Sequence, residues 1–370
     1  MNVYIRSRSS FTSAVSHVDL DYLPERYSHS AIGGPKTARI NVYGDDNDLW
    51  QLVSLIRCPI EIYNDLGEAV WWGWIANVEA NVMASGGSHE RVKIGASIDT
   101  MYNSIAVAYN KVDLTSGAQQ RDTTTWANGT VSQSEYGVRE LLWSSSSATQ
   151  VHAEAARDMR LAQSQYPQAI IVPVDANNSG AAITCRGWWD TMSWRYYANS
   201  GTATVDTATQ AGTVIASKGQ FINSVFVDVT SGITIREERD GDGSAMYELL
   251  EMLKMGTTNY RRMLVELDKN RNARIYEEPA ITANTYQLLA SGGAIDQAGS
   301  EMRRDHAPMK LVGNWAKWKD IIPPSVDTTI LSDPGVVFIE DCEYDVGKDK
   351  LIITPRGDLD PWNFPRVKDG

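Results

Sequence analysis

The sequence has little of several features that define common protein classes. It contains only three cysteines, Cys58, Cys185 and Cys342, which are far apart and form no Cys-x-x-Cys pair. Such sparse thiols argue against a disulfide framework and against a structural zinc site. No apolar run approaches the ~20 residues that a membrane-spanning helix needs, and the first residues lack the apolar core of a signal peptide. We therefore expect a protein that is made and used in a cytoplasm, or that leaves it inside a particle.

Positive charge is also scarce. The chain has 34 Lys and Arg against 46 Asp and Glu, a net charge of −12, and no basic run exceeds two residues. A protein that grips nucleic acid by its phosphates needs a basic face, so we do not expect such a grip. An acidic surface can still line a passage through which DNA slides, because it repels phosphates.

The aromatic residues are unevenly divided among types. The 370-residue chain has five Phe but twelve Trp and sixteen Tyr. Trp and Tyr combine an apolar body with a polar edge, which suits subunit interfaces and half-buried surfaces. Large β-proteins also bury many Trp, so this balance does not single out an interface. The chain length exceeds that of one compact core and predicts two or more domains.

Residues 60–82 form the central pattern of the sequence. Two β-prone runs flank a turn that contains Asn, Asp and Gly, which predicts a hairpin. In the second run, Trp72 and Trp74 fall on one face, Trp71 falls on the other, and Gly73 removes a side chain where a neighbour comes close. A strand with apolar groups on both faces belongs to a barrel, a sandwich or a sheet packed on a partner chain.

A second tryptophan cluster lies at residues 182–197, with Trp188, Trp189 and Trp194. A third group, with two tryptophans, lies at residues 313–318. We interpret the first two clusters as core or subunit-interface residues. The alternative is a sugar-binding platform, in which rings stack on saccharides. It is less favoured because such a platform more often lies on a polar face, whereas the first cluster lies inside an apolar run.

The pattern along the chain predicts an α+β fold dominated by strands, and breaks in composition divide it into four regions. They are an N-terminal arm at 1–36, a first β-barrel domain at 37–112, a linker and helical insertion at 113–180, and a second β-rich part at 181–370 with one helix and a C-terminal tail. The barrel is expected to have about five strands and one short helix. A short helix is predicted at 136–143 and a short strand at 169–174. Longer helices are predicted at 148–165, capped by the serines at 144–147, and at 244–255.

A weak calcium-loop pattern precedes the last of these helices. Its oxygen-bearing residues fall at positions 1, 3, 5, 9 and 12 of an EF-hand loop. They are Asp240, Asp242, Ser244, Glu248 and Glu251. Ala245 stands where the loop needs Gly, and the segment before the pattern predicts a strand rather than a helix. The favoured reading is a polar turn whose serine caps the next helix, so we predict no metal and no cofactor.

No catalytic constellation stands out. The five histidines are scattered, and none lies beside a plausible nucleophile; they are His17, His29, His89, His152 and His306. The motifs of serine hydrolases, zinc proteases, phosphate loops and dinucleotide folds are absent from the sequence. Adjacent acids such as Glu277-Glu278 arise by chance among 46 acidic residues, and nothing selects a glycosidase pair. We expect no enzymatic activity, with a peptidoglycan hydrolase as the alternative.

The order of these patterns resembles the first barrel of bacteriophage tail and baseplate hub proteins. The resemblance begins with a strand, a capped short helix and Pro-Ile-Glu-Ile-Tyr at 59–63. A hairpin follows whose Trp-x-Gly centre is matched by Trp71-Trp72-Gly73, and then a strand region at 97–109. Residues 134–140 are similar to the insertion after that barrel, and 187–196 to the return toward a second barrel. The likeness covers about residues 37–240 and is one of pattern.

The resemblance implies tail-tube-like β-barrel domains and a ring-forming adaptor that joins the tail tube to the tip. Such an adaptor is most often a trimer with two barrels per chain, and a hexamer is the alternative. Its partners are copies of itself and the proteins of the tail tube and tail tip. DNA passes through the lumen, no membrane is entered, and the location is the virion tail after assembly in the host cytoplasm. The alternatives are a carbohydrate- or receptor-binding module at the tail tip and a distal tail ring protein.

Overall fold

The computed structural model describes most of the first 278 residues and several segments beyond them. The described residues are 1–15, 20–83, 91–112, 117–147, 149–174, 180–278, 284–287, 297–301, 310–314, 328–332, 335–348 and 350–355. Strands hold 47% of the residues and helices 23%, which confirms the predicted strand-dominated α+β class. The third tryptophan group, at residues 315 and 318, lies outside the described residues, as do His17, His89 and His306.

The elements alternate between long strands and short helices along the chain. The strands are β1 (Asn2–Ile5), β2 (Asp21–Ser30), β3 (Gly34–Tyr43), β4 (Pro59–Tyr63), β5 (Ala69–Met83), β6 (Arg91–Ser97), β7 (Ser104–Val112), β8 (Gln119–Thr123), β9 (Ala127–Asn128), β10 (Glu140–Ser144), β11 (Gln168–Val174), β12 (Gly180–Arg186), β13 (Tyr196–Asn199), β14 (Thr204–Asp206), β15 (Ser224–Val227), β16 (Thr234–Arg236), β17 (Arg239–Ser244), β18 (Met263–Leu267), β19 (Asn272–Glu277), β20 (Asn284–Gln287), β21 (Gln297–Glu301), β22 (Lys310–Asn314), β23 (Thr328–Ser332), β24 (Gly335–Asp345) and β25 (Lys350–Pro355). The α-helices are α1 (Asp46–Leu49), α2 (Thr130–Tyr136), α3 (Gln150–Ser164), α4 (Thr207–Lys218) and α5 (Ala245–Lys254), and 3₁₀ helices span Trp50–Leu55 and Trp188–Trp194.

One large sheet organises the molecule. Its strand order is β1-β4-β5-β12-β3-β2-β24-β25-β22-β21, and β6 and β11 extend it beside the second half of β5. The fifteen-residue β5 pairs with β4 along its first half and with β6 along its second half, while β12 runs along its other side. No pairing among the described strands closes this sheet into the barrel expected from the sequence.

The predicted hairpin is formed by β4 and β5. The Asn64 side chain holds the turn by accepting hydrogen bonds from the Leu66 and Glu68 amides at 3.1 and 2.8 Å. Gly67 has φ +81°, a left-handed conformation that glycine adopts without strain. A Cβ on Gly73 would lie 2.1 Å from the Arg186 carbonyl oxygen, so this glycine permits the close approach of the neighbouring backbone.

Strand β12 completes the centre of the same sheet. Its Ile183 pairs with Ile40 of β3 and Val78 of β5, and all three side chains are fully buried. Residue 181 begins the second β-rich part predicted from the sequence, whereas in the structure β12 lies between two strands of the large sheet. Likewise β2, within the predicted arm, pairs along its length with β3. Long-range pairing, which local patterns do not report, sets both positions.

Between β7 and β12 the chain forms a small layer of its own, in which β10 pairs parallel to β7 and β8 pairs antiparallel to it. The helix expected at 136–143 is not formed. Helix α2 ends before Gly137, which has φ +87°, and Leu141, Leu142 and Trp143 then form part of strand β10. Helix α3 agrees with its prediction, although Thr149 rather than the preceding serines caps it.

Among the described residues after 186 there are two α-helices, where one was expected. Helix α5 confirms the predicted one, and α4 is additional. Helix α4 contains three Thr, a Gly and the β-branched Val214 and Ile215, all of which favour a helix less than Ala does. The Asp206 carboxylate caps it by accepting from the Ala208 and Thr209 amides. Gly212 lets the helix lie directly on β15, because a Cβ there would be 2.6 Å from Val227.

Candidate assembly surface

The two tryptophan clusters of the sequence meet inside the molecule. Trp74 of β5 packs edge-to-face on Trp194, with ring centroids 5.2 Å apart and planes at 82°. Phe221 lies 5.9 Å from Trp194 and 5.4 Å from Trp188, and Phe11 of the N-terminal segment lies 5.5 Å from Trp188. We call these five rings the aromatic junction. It joins four segments that are distant in sequence.

The other three tryptophans singled out from the sequence also contact this chain's own residues. Trp71 is fully buried, and Trp189 is 7% exposed against Gly33. Trp72 is half-buried, and its Nε1 donates a hydrogen bond to the Leu267 carbonyl at 3.1 Å. The Trp74 Nε1 likewise donates to the Gly187 carbonyl at 3.2 Å. None of the six rings lies bare on the surface of this chain.

Arginines cover the faces of the aromatic junction. The Arg57 guanidinium lies 4.8 Å from the Phe221 centroid and 5.2 Å from that of Phe11. The Arg271 guanidinium lies 3.8 Å from the same Phe11 ring. Aromatic faces carry partial negative charge, so these contacts are attractive. Burial lowers the pKa of Arg57 to about 10, with the neighbouring Arg8 charge adding to the effect, and the group stays charged at neutral pH.

Backbone strain is concentrated at the same place. Phe11, Arg57 and Arg271 have φ of 58°, 67° and 65°, a left-handed conformation that costs a residue with a side chain about 1–3 kcal/mol. These residues come from three distant segments and contact one another through the Phe11 ring. The packing around the aromatic junction offsets this cost.

The residues of the calcium pattern do not gather around a common point. Ser244 accepts a hydrogen bond from the Tyr247 amide at 3.2 Å and caps α5, as the favoured reading expects. The Glu248 carboxylate pairs with Arg239 at 2.8 Å, and Glu251 pairs with Lys254 at 2.8 Å. Asp242 lies 3.6 Å from Arg121, and the Asp240 carboxylate accepts from the amide two residues on. Among the described residues there is no group of three or more His, Cys, Asp or Glu placed to hold a metal.

The feature that sequence reasoning missed is the exposure of β11. The strand pairs only with β6 among the described strands, and nearly every residue in it is exposed. Ile170 is 59% exposed, Ile171 61% and Val172 40%. We call these three residues the apolar edge. Their β-branched run predicts a strand, but a run apolar on both faces normally indicates burial, so the pattern alone could not reveal the exposure.

The register shows that the apolar edge presents both faces of β11. Ile171 lies opposite the buried Ile94 of β6. The Ile171 side chain is therefore on the same face of the sheet as the core, one strand beyond β6. Val172 lies opposite Lys93 on the other face, where Lys93 pairs with Glu79 at 2.7 Å. A strand edge without a described partner and two apolar faces are thus exposed together.

A second sheet edge shows how this chain protects a strand that remains in water. Strand β8 reads Gln-Gln-Arg-Asp-Thr, all exposed, and pairs only with β7 among the described strands. Charged and polar residues on an edge oppose pairing with another chain. Strand β11 carries no charge from residue 168 to 174. The two edges therefore differ: β8 carries charged residues along an exposed edge, whereas Pro173 is the only residue of β11 after Gln168 that opposes pairing with another strand.

Comparison with known proteins gives likenesses of overall structure only. No protein-family model matches the chain, and no curated protein is similar to it in sequence. Its structure is similar to a tail protein from Neisseria meningitidis MC58, with a TM-score of 0.47 and 8% identity, covering 99% of this chain and 100% of that one. It is also similar to the 43 kDa tail protein of prophage MuSo2 from Shewanella oneidensis, with a TM-score of 0.44 and 9% identity, covering 91% and 97%.

A third similar structure is the E. coli c3393 protein, described as a component of the type VI secretion system with structural similarity to the T4 bacteriophage tail proteins gp27 and gp5. Its TM-score is 0.41 with 9% identity, covering 98% of this chain and 79% of that one. With TM-scores below 0.5, all three are distant likenesses. Within the described residues, no helix is long and apolar enough to cross a membrane.

Proposed function

We propose that this chain is a structural component of a bacteriophage tail, a ring-forming hub adaptor between tail tube and tip that assembles from identical chains and catalyses no reaction. The observation that supports assembly is the apolar edge on β11, which exposes three large aliphatic side chains together with a strand edge that pairs with none of the described strands. The assignment to a tail is supported by the sequence resemblance across residues 37–240.

A neighbouring chain that adds a strand beside β11 would bury its free edge and both of its faces. The main-chain hydrogen bonds supply a regular interface, and the aliphatic groups supply the hydrophobic gain. A repeated head-to-tail contact of this kind closes into a ring when its rotation fits a whole number of subunits. We favour a trimer, with a hexamer as the alternative, and tail-tube and tail-tip proteins as neighbours. The net charge of −12 suits a lumen that DNA passes through without binding.

A charge placed on the apolar edge tests this proposal. Light scattering coupled to gel filtration gives the mass of the purified chain, which we expect to be a multiple of 40.9 kDa. Ile171→Lys sets an ammonium group on the face that a neighbour would cover, so the mass should fall to that of one chain. Met159→Lys is the matched control, because Met159 is equally exposed, at 65%, but lies on α3 outside the apolar edge.

The control variant should keep the oligomeric mass of the unaltered chain. Two results contradict the proposal: an unaltered chain that stays a monomer at all concentrations, or loss of the oligomer in both variants alike. Circular dichroism confirms that each variant is folded, since an exposed position tolerates Lys.

The sugar-binding alternative at the tail tip is less well supported. It needs rings that are free to stack on a saccharide, whereas the six tryptophans of the two clusters are buried or half-buried against this chain. Absence of catalysis is a separate part of the proposal. A zymogram on peptidoglycan tests it, and a cleared band that is lost on changing one carboxylate would contradict it.

A further inference from the structure

A pocket beside the aromatic junction holds an arginine that forms no direct ion pair with any of the described residues. The pocket has a volume of about 570 Å³ and lies between the N-terminal segment, the 3₁₀ helix before β4 and the end of α2. Arg57 lines it and is 3% exposed. Its Nη2 donates to the carbonyl oxygens of Arg8 and Glu135, both at 3.0 Å. Its Nε and Nη1 are buried and have no hydrogen-bond partner in the described part of the chain.

The local charge is positive. Arg8, on the same pocket, pairs with the Glu135 carboxylate and donates to the carbonyl oxygens of Ser54 and Ile56. The Arg271 guanidinium lies 3.8 Å from the Phe11 centroid, and its Nη1 donates to the Phe221 carbonyl at 3.3 Å. Among the described residues, Arg8, Arg57 and Arg271 thus lie near one another, and only Arg8 pairs with a carboxylate, that of Glu135. A buried cation normally has a counter-charge, because taking it out of water is costly.

Hydroxyl groups complete the pocket. The Ser7 and Ser9 hydroxyl oxygens are 3.0 Å apart, and only one of the two protons can lie between them. The other hydroxyl is left with a proton that it can donate to a ligand. Strain points to the same place, since Phe11, Arg57 and Arg271 are three of the four residues other than glycine with positive φ in the described chain. Strained residues cluster at ligand clamps and functional sites.

We propose that the pocket between Arg8 and Arg57 binds a phosphate-class oxyanion. Arginine presents N–H groups in a planar fork that matches such oxygens, and the serine hydroxyl adds a neutral donor. The pocket is larger than a free phosphate ion, so a phosphate ester also fits. The bound anion supplies the missing counter-charge and ties the N-terminal segment to the strand that begins at Pro59. This site is independent of the proposed tail function and of the apolar edge.

Titration calorimetry on the full-length chain tests the proposal. One arm uses inorganic phosphate, a second uses a nucleoside monophosphate, and sodium chloride at equal ionic strength is the blank. We expect saturable binding in at least one phosphate arm and at least tenfold weaker binding in Arg8→Gln and Arg57→Gln. Arg236→Gln is the matched control, because Arg236 is exposed and pairs only with Glu238 on the surface. It should bind as the unaltered chain does.

If Arg57→Gln fails to fold, binding is measured in Arg8→Gln and Ser9→Ala instead. Both substitutions change the rim of the pocket and leave the buried Arg57 guanidinium in place. Phosphate should also raise the melting temperature of the unaltered chain more than chloride does, and that difference should vanish in Arg8→Gln. Absence of saturable binding in both phosphate arms overturns the proposal. So does binding that is equal in Arg8→Gln and in the control, because the anion then lies elsewhere.

Discussion

Trp74 and Trp194 stack edge-to-face in the buried centre of the chain, 120 positions apart in sequence and 5.2 Å apart in ring centroids. Trp74 belongs to the central strand of the large sheet, and Trp194 ends the 3₁₀ helix that follows β12. The contact fixes the chain after β12 to the sheet that β12 has just completed. The aromatic junction is therefore one of the contacts that hold the chain after β12 against the large sheet.

Trp194→Ala should reduce the free energy of unfolding by about 3–5 kcal/mol, because it opens a large cavity among rings that cannot collapse into it. Trp143→Ala is the control; Trp143 is 40% exposed, and its loss should cost less than about 1 kcal/mol. Urea unfolding followed by circular dichroism measures both. Equal losses in the two variants would show that the aromatic junction is not a centre of stability.

Gly73→Ala should also be strongly destabilising. The new methyl group would lie 2.1 Å from the Arg186 carbonyl oxygen, and a backbone atom in a paired strand cannot move aside cheaply. We expect a loss at or above the upper end of the ~1–3 kcal/mol typical of overpacking. Gly95→Ala is the matched control on β6, where the nearest atom lies 3.3 Å away. A smaller loss at Gly73 than at Gly95 would contradict the close approach.

His29 predicts a specific dependence of stability on pH. Its ring is buried and donates from Nε2 to the Val70 carbonyl at 2.9 Å, and burial lowers its pKa from 6.5 to about 4. Between those values the unfolded chain binds a proton that the folded chain does not. The contribution of His29 to the free energy of unfolding is thus fully present above pH 6.5, and it falls by roughly 3 kcal/mol as the pH drops to 4.

Unfolding free energies of the unaltered chain and His29→Gln, measured from pH 7 to pH 4, isolate this contribution. The variant should lose less stability across the range, although it begins lower. His152→Gln, at an exposed position on α3, is the control and should follow the unaltered chain. An unchanged slope in His29→Gln would mean that other groups govern the acid response.

Ser244 distinguishes the helix cap from a calcium ligand. Ser244→Ala should cost about 1 kcal/mol, because the Tyr247 amide loses its acceptor. Ser244→Asp should recover that loss, since Asp caps helices as well as Ser does. Thermal unfolding of all three chains should be the same with calcium and with a chelator. A calcium-dependent gain in melting temperature that is larger in Ser244→Asp would instead support the metal site.

The local features of this fold were predictable from the sequence. The hairpin turn and the serine cap of α5 each depend on residues a few positions apart, whereas the backbone that Gly73 allows to approach, at Arg186, belongs to the distant strand β12. Strand β11 was predicted within one residue of its start, but its exposure to solvent was not predicted. An aliphatic strand has the same sequence pattern whether the residues that cover it belong to the same chain or to another chain. The aromatic junction and the place of β12 depend on contacts across more than a hundred residues, which no local pattern specifies. Helix α4 was missed since its Thr and Val residues favour strands.

The central claim is that β11 is covered by another chain when the protein assembles. Amide hydrogen exchange of residues 170–172, followed in dilute and in concentrated samples, tests it most directly. The amides on the free side of β11 have no described strand of the same chain beside them, so they should exchange rapidly when dilute and become protected when concentrated. The amides of the polar β8 edge should exchange equally in both samples. Rapid exchange at residues 170–172 at every concentration, in particles as well as in solution, would contradict the account.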